Sequence, residues 1–178
     1  MLANAARPQY PSTKPQLHRR FFVPDLTDAT DIRILAALQD DGRISNADLA
    51  ARVNLSASAC HRRVQRLEAS GVIERYVALL DARLMDRRST VFVEITLASQ
   101  SEDLLDRFEK AVARIPDVLE CHLMAGTADY LLKIVAADTD DFARIHRQHL
   151  ARLPGVAQMQ SSFALRTVCK TTALPLPP

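Results

Sequence analysis

Ser45 and Ser56 constrain the first half of this chain more than any other residues. Ser45 stands just before Asn46-Ala47-Asp48-Leu49-Ala50-Ala51, and Ser56 just before Ala57-Ser58-Ala59-Cys60-His61-Arg62-Arg63-Val64. A serine at such a position accepts a bond from an N–H that has no partner inside the helix, so each marks a helix start. Asp48, at the third helical position after Ser45, is a short capping partner. Asn54, between Val53 and Leu55, tolerates the left-handed conformation of a tight turn. The segment therefore predicts two short helices joined by that turn.

The second helix has two faces. Cys60, Val64 and Leu67 recur at helical spacing and point to one side. Ser58, His61, Arg62, Gln65 and Arg66 occupy the other. Small polar residues in the first turn and arginines further along suit a DNA major groove. Hydroxyls and backbone N–H groups meet phosphates there, and an arginine can bond guanine in bidentate fashion. The candidate DNA contacts are Ser45, Ser56, Ser58, His61, Arg62, Arg63, Gln65 and Arg66. A motif at about residues 45–66 fits double-stranded DNA as the partner.

A further helix is expected from Thr27-Asp28-Ala29-Thr30-Asp31, with Ile32, Leu35, Ala36 and Leu38 on its apolar face and Gly42 as its stop. Gly71 ends the arginine-bearing helix as a C′ residue. Val72 to Leu80 reads as an extended segment. Three helices followed by a strand make a winged-helix-like unit over residues 26–75, with 76–88 as a linker strand.

The second half follows another rhythm. Thr90 to Leu97 alternates, with Val91, Val93, Ile95 and Leu97 on one side. Ser101 is placed to cap a helix from Glu102 to about Arg114, striped by Leu105, Phe108 and Val112 and followed by Pro116. Strands are expected at Val118–Met124 and Asp129–Ala137. Thr139 is placed to cap a second helix carrying Phe142, Ile145, His146 and Leu150. Pro154-Gly155 then breaks the chain before a strand from Val156 to about Cys169. The order strand-helix-strand-strand-helix-strand is the ferredoxin-like pattern. The fold class is thus α+β: a winged helix-turn-helix, then a ferredoxin-like domain over residues 89–170, then a tail over 171–178.

With both helices on one side, the other face of such a sheet stays bare. Phe92, Leu131 and Val135 fall on it. A sheet that is apolar on both faces needs a second cover, and a second copy of the same sheet is the simplest one. Those three residues are the candidate homodimer interface.

Residues 26–80 resemble the N-terminal domain of the Lrp/AsnC (leucine-responsive, feast/famine) regulators of bacteria and archaea. The resemblance is carried by Leu26-Thr27-Asp28 through Ile34-Leu35, by Asp41-Gly42-Arg43, and by Leu55-Ser56 through Arg66-Leu67-Glu68. Gly71-Val72-Ile73 and Tyr76 extend it. It continues through Glu120-Cys121-His122, Gly126, Asp129-Tyr130-Leu131-Leu132-Lys133 and Leu153-Pro154-Gly155-Val156, covering about 150 of the 178 residues. It implies a transcriptional regulator whose second domain binds a free amino acid and forms dimers, which assemble further into tetramers or octamers. It also implies an effector site at the G-x-x-D turn, here Gly126-Thr127-Ala128-Asp129. Gly126 would let backbone N–H groups approach a carboxylate, and Asp129 would face an ammonium. Ser161 and Ser162 on the last strand are the further candidates. Thr127 and Ala128 depart from the acidic or amide residue and aromatic that many members carry, so the pocket wall is altered. The segment from Ser161 to Leu176 looks like that of a subgroup handling amino-acid degradation, although Cys169 falls where that subgroup often has lysine.

Composition bounds the rest. Net charge is +2, and residues 27–80 hold seven arginines against seven acidic residues, so DNA affinity has to come from placement of charge. Three cysteines without C-x-x-C spacing suggest neither zinc nor disulfides, and no metal or cofactor is expected. No nucleophile–base set or phosphate-binding glycine loop points to an enzyme. No apolar run approaches the roughly 18 residues of a membrane span. The start Met1-Leu2-Ala3-Asn4 shows no signal-peptide core, so a cytoplasmic, nucleoid-associated protein is expected. Residues 1–25, rich in proline and basic groups, read as a disordered tail. Two other functions fit the sequence: an architectural DNA-wrapping protein with no effector, and an amino-acid-binding enzyme regulator with a vestigial helix-turn-helix.

Overall fold

A computed structural model describes residues 28–177, so the tail expected over 1–25 lies outside the described residues. Two compact units emerge. Residues 80–168 form one; residues 28–79 together with 169–177 form the other.

In the first-half unit, α1 spans Ala29–Asp40, α2 Asn46–Arg52 and α3 Ala57–Ala69. Asp28 caps α1, its carboxylate accepting from Thr30 N–H at 2.8 Å. Ser45 Oγ accepts from Asp48 N–H at 3.1 Å and donates to the Asp48 carboxylate at 2.6 Å. Ser56 Oγ accepts from Ala59 N–H at 3.3 Å. Asn54 takes the left-handed conformation, with φ at 58°. Ile34, Leu35, Leu49, Val53, Cys60 and Leu67 close the core. Gly71 ends α3 at a φ of 77°.

The extended segment expected after α3 does not pair. Among the described residues no strand lies between Ala69 and Ser89. A strand exists through its ladder bonds, and no strand runs beside this stretch among the described residues; Ile73 N–H instead bonds back to Leu67 C=O of α3 at 3.2 Å. Val77, Leu79 and Leu80 are left exposed.

The second unit is a four-stranded antiparallel sheet: β1 Ser89–Leu97, β2 Val118–Leu123, β3 Tyr130–Ala136 and β4 Val156–Phe163, in spatial order β2-β3-β1-β4. Helices α4 (Glu102–Val112) and α5 (Thr139–Gln148) complete it. Val91, Val93 and Ile95 sit opposite Ile134, Leu132 and Tyr130, and all six are buried with Phe108, Ile145 and Leu150. Two expected caps differ. Ser101 precedes α4 without a side-chain bond, and Asp138, not Thr139, caps α5 by accepting from Asp141 N–H at 2.8 Å. Strand β4 stops at Phe163, well before Cys169, because pairing with β1 ends at Val91. Gly155 turns the chain into β4 at a φ of 73°, and a Cβ there would lie 2.4 Å from Leu104.

Candidate functional site

Helix α3 splits its arginines between two jobs. Arg63 donates to Asp28 and, at 2.8 Å, to Asp31; Arg66 also donates to Asp31. Asp31 lies on the buried side of α1, and its side chain is only 4% exposed. A carboxylate that far from water needs cationic partners, and α3 supplies both. The Arg63 guanidinium holds the Asp28 carboxyl down to about 2, with the Thr30 N–H adding to the effect. The same pairs raise Arg63 above its ordinary value.

The candidate DNA contacts Arg62, Arg63 and Arg66 therefore stand differently on α3. Arg63 is turned inward onto α1, because the buried charge there attracts it. Arg66 spends one Nη on Asp31 yet keeps 62% of its side chain exposed. Arg62 is exposed and makes no ion pair among the described residues, as do His61 and Gln65. Ser58 is exposed within reach of Ser56, their hydroxyls 3.3 Å apart. The Ser45 and Ser56 hydroxyls both serve as caps. An open cleft of about 410 Å³ runs along this face, lined by Leu55, Ala59, Arg62, Arg63 and Arg66.

On the sheet unit, the turn after β2 exposes Gly126 and Thr127. Gly126 has no positive φ, and an added Cβ would meet nothing within 4 Å. The fold of this chain does not itself require glycine there. The backbone N–H groups of Gly126, Thr127 and Ala128 donate to no acceptor among the described residues. Asp129 is held differently from the ammonium-facing carboxylate that the family resemblance implies. One carboxylate oxygen accepts from Leu97 N–H at 2.7 Å and the other from the Gln100 amide at 2.6 Å, and the residue is buried. It clasps the turn to the end of β1, which leaves it poorly placed as an open counter-charge. The Glu94 side chain, by contrast, is exposed and makes no hydrogen bond or ion pair among the described residues. Glu94 lines a cleft of about 150 Å³ with Thr96, Thr127, Ala128, Gln158 and Gln160.

Register separates the two serines. Ser161 lies opposite buried Val93, and its neighbour on the same side, Phe163, stacks edge-on against Phe142 of α5. Ser162 lies opposite Phe92 on the bare face. Adjacent strand residues point to opposite sides, so the pair does not converge on one ligand. Phe92, Leu131 and Val135 do share the bare face, since β1 and β3 alternate in register. The Lys133–Glu120 ion pair at 2.6 Å lies on the same face.

Residues 27–74 match the winged helix-turn-helix DNA-binding family, and residues 90–174 match the Lrp/AsnC ligand binding domain family. The chain is 42% identical to the leucine-responsive regulatory protein of Haemophilus influenzae over 84% of its own length and 90% of that protein's. The chain belongs to the Lrp/AsnC family of transcriptional regulators. The structure of an AsnC family transcriptional regulator from Agrobacterium tumefaciens matches with a TM-score of 0.80 at 40% identity, covering 83% of this chain and 96% of that one. The L-Met complex of a transcriptional regulator from Neisseria meningitidis matches at 0.79 and 36%, with the same coverage.

This Lrp/AsnC chain is accordingly a DNA-binding transcriptional regulator with a ligand-binding second half. Four residues that shape its sites escaped the sequence reading: Asp28 and Asp31, which hold α3, and Glu94 and Gln100 beside the turn. Asp31 left a trace, because it falls at helical spacing from Ile34, Leu35 and Leu38, on an apolar stripe where a carboxylate is costly. Glu94 and Gln100 left none, since only the strand register brings them to the turn.

Proposed function

We propose that this regulator binds a free amino acid at the Gly126–Asp129 turn and converts occupancy into a change in DNA binding. One observation carries the reading: Thr127 and Ala128, whose N–H groups have no acceptor among the described residues, line one cleft with Glu94, whose carboxylate has no partner among them either, and Gly126 precedes them in the turn. An amino-acid zwitterion needs that pair of opposite features. Its carboxylate takes the N–H groups and its ammonium takes Glu94. Asp129 contributes by holding the turn in place. Of the two serines, Ser162 is the one on the accessible face.

On the DNA side, Arg62 and the exposed part of Arg66 reach base edges or phosphates, assisted by Ser58, His61 and Gln65, with Ser45 and Ser56 as caps. The bare sheet face at Phe92, Leu131 and Val135 packs against a second copy, and dimers assemble to tetramers or octamers. The protein works in the cytoplasm on nucleoid DNA and is not an enzyme; no metal or cofactor takes part. Coupling between the two sites is a free energy, so the ligand must favour one DNA-binding arrangement over another.

The test is calorimetry with a panel of amino acids. Methionine comes first, because it is the ligand in the related Neisseria complex. Footprints are then taken with and without the best binder. A footprint that the amino acid alters in length or affinity supports the proposal. Absence of binding by every amino acid, with a long footprint that none of them changes, would establish the architectural function instead.

A further inference from the structure

The C-terminal segment belongs to the DNA-binding unit, not to the sheet unit that precedes it. Its attachment is specific. The Gln39 side-chain amide on α1 donates to Leu174 C=O at 3.1 Å and accepts from Leu174 N–H at 2.6 Å. One amide thus reads both main-chain groups of one residue, as a neighbouring strand would. Only an extended residue offers its N–H and C=O to the same side. Pro175 favours that conformation, because the residue before a proline is pushed out of the helical region. Two residues further on, Leu176 is half-buried against the core of the three-helix unit, where Leu38 packs as well. On the near side, Thr171 Oγ1 accepts from Ala173 N–H at 3.0 Å and shapes the approach.

We infer that residues 171–177 form a strap docked on α1, with Gln39 as its receptor, and that the strap is a second mechanical link from the sensing half to the DNA-binding half. The chain crosses between the two units near residue 80 and again near residue 168. Neither the first crossing, residues 70–88, nor the second, residues 164–173, has regular structure. The second ends on α1, the helix whose Asp28 and Asp31 hold Arg63 and Arg66 of α3. A pull or release at the strap therefore reaches the arginines through one rigid helix. The recognition is by backbone and a single leucine, so the occupant is an extended proline-containing peptide, here the chain's own.

Amide exchange on the full-length protein tests docking without reference to DNA or ligand. The Leu174 N–H should exchange about two- to tenfold more slowly than in an unstructured peptide, which is the effect of one hydrogen bond of ordinary net strength. Gln39→Ala should abolish that protection while the sheet unit keeps its own. An unprotected Leu174 in the wild type, or unchanged protection in Gln39→Ala, overturns the inference. The link is tested with a DNA fragment selected from random sequence by the wild-type protein. Gln39→Ala and a chain ending at Lys170 should both bind it several-fold more weakly, with no amino acid present. Wild-type affinity in both variants refutes the mechanical role. Neither readout depends on amino-acid binding, so failure of the effector proposal leaves these results interpretable.

Discussion

Arg63 Nη1 lies 2.8 Å from Asp31 Oδ1, and this contact joins the recognition helix to the buried side of α1. The carboxylate is almost wholly buried, whereas the arginine side chain is 29% exposed. Removing the carboxylate strands a partly solvated cation; removing the arginine strands a buried anion. Asp31→Ala should therefore cost about 2 kcal/mol, below the usual figure for a fully buried pair, because solvent screens Arg63. Arg63→Ala should cost more, although Arg66 still partners Asp31. Urea melts of the two variants give the order, and equal losses would contradict it.

Arg62 should matter more to DNA than Arg63. Arg62→Ala should lose about 1–3 kcal/mol of binding and relax specificity at one base pair if it reads a base, or weaken all sequences alike and lower the salt slope by about one if it meets a phosphate. Binding titrations at several salt concentrations separate the two. A folded Arg62→Ala, Arg66→Ala double variant with wild-type affinity would remove α3 from the interface.

At the turn, Glu94→Gln and Asp129→Asn should fail differently. Glu94→Gln removes the open charge and should weaken amino-acid binding by about 1.5–3 kcal/mol with stability unchanged. Asp129→Asn disturbs the clasp on Leu97 N–H and Gln100, so it should lower thermal stability as well. Calorimetry paired with melting curves reads both. Wild-type ligand affinity in Glu94→Gln would remove it from the site.

Leu131→Asp tests the bare sheet face. In a two-fold interface the substitution buries an unpaired carboxylate twice, which a dimer does not tolerate. Light scattering at micromolar concentration should show dimers or larger for the wild type and monomers for the variant. A monomeric wild type would leave the face without its partner.

Acid should act through Asp28. Its carboxyl sits at about 2 against an ordinary 3.8, chiefly because Arg63 donates to it. A lowered carboxyl stabilises the fold above the unfolded value and loses that contribution as pH falls through the folded one. The stability gap between wild type and Asp28→Asn should thus be full at about pH 5 and close between roughly pH 4 and 2. Denaturant titrations across that range measure it; a gap that persists at pH 2 would assign the stabilisation elsewhere.

Local rules carried much of this. Caps at Ser45 and Ser56 and the left-handed Asn54 were legible because each depends on a few adjacent residues. Alternation placed Val91, Val93 and Ile95 inward, and Phe92, Leu131 and Val135 together on the other face, for the same reason. What stayed hidden is decided by partners far along the chain. Arg63 looks like a free cation until Asp31 is brought beside it. Asp129 looks like an open charge until Leu97 and Gln100 close on it. Val72–Leu80 has strand-like residues, yet no strand among the described residues pairs with them.

Gln39 and Leu174 are 135 residues apart, so the two halves of that contact are made at different times. At about 5–20 residues per second of synthesis, α1 waits on the order of ten seconds for Leu174 to appear. The whole sheet unit emerges in that interval. The three-helix unit is therefore complete only after its neighbour has been synthesised, and a nascent chain stalled before Leu174 carries a DNA-binding half that has not yet been fastened.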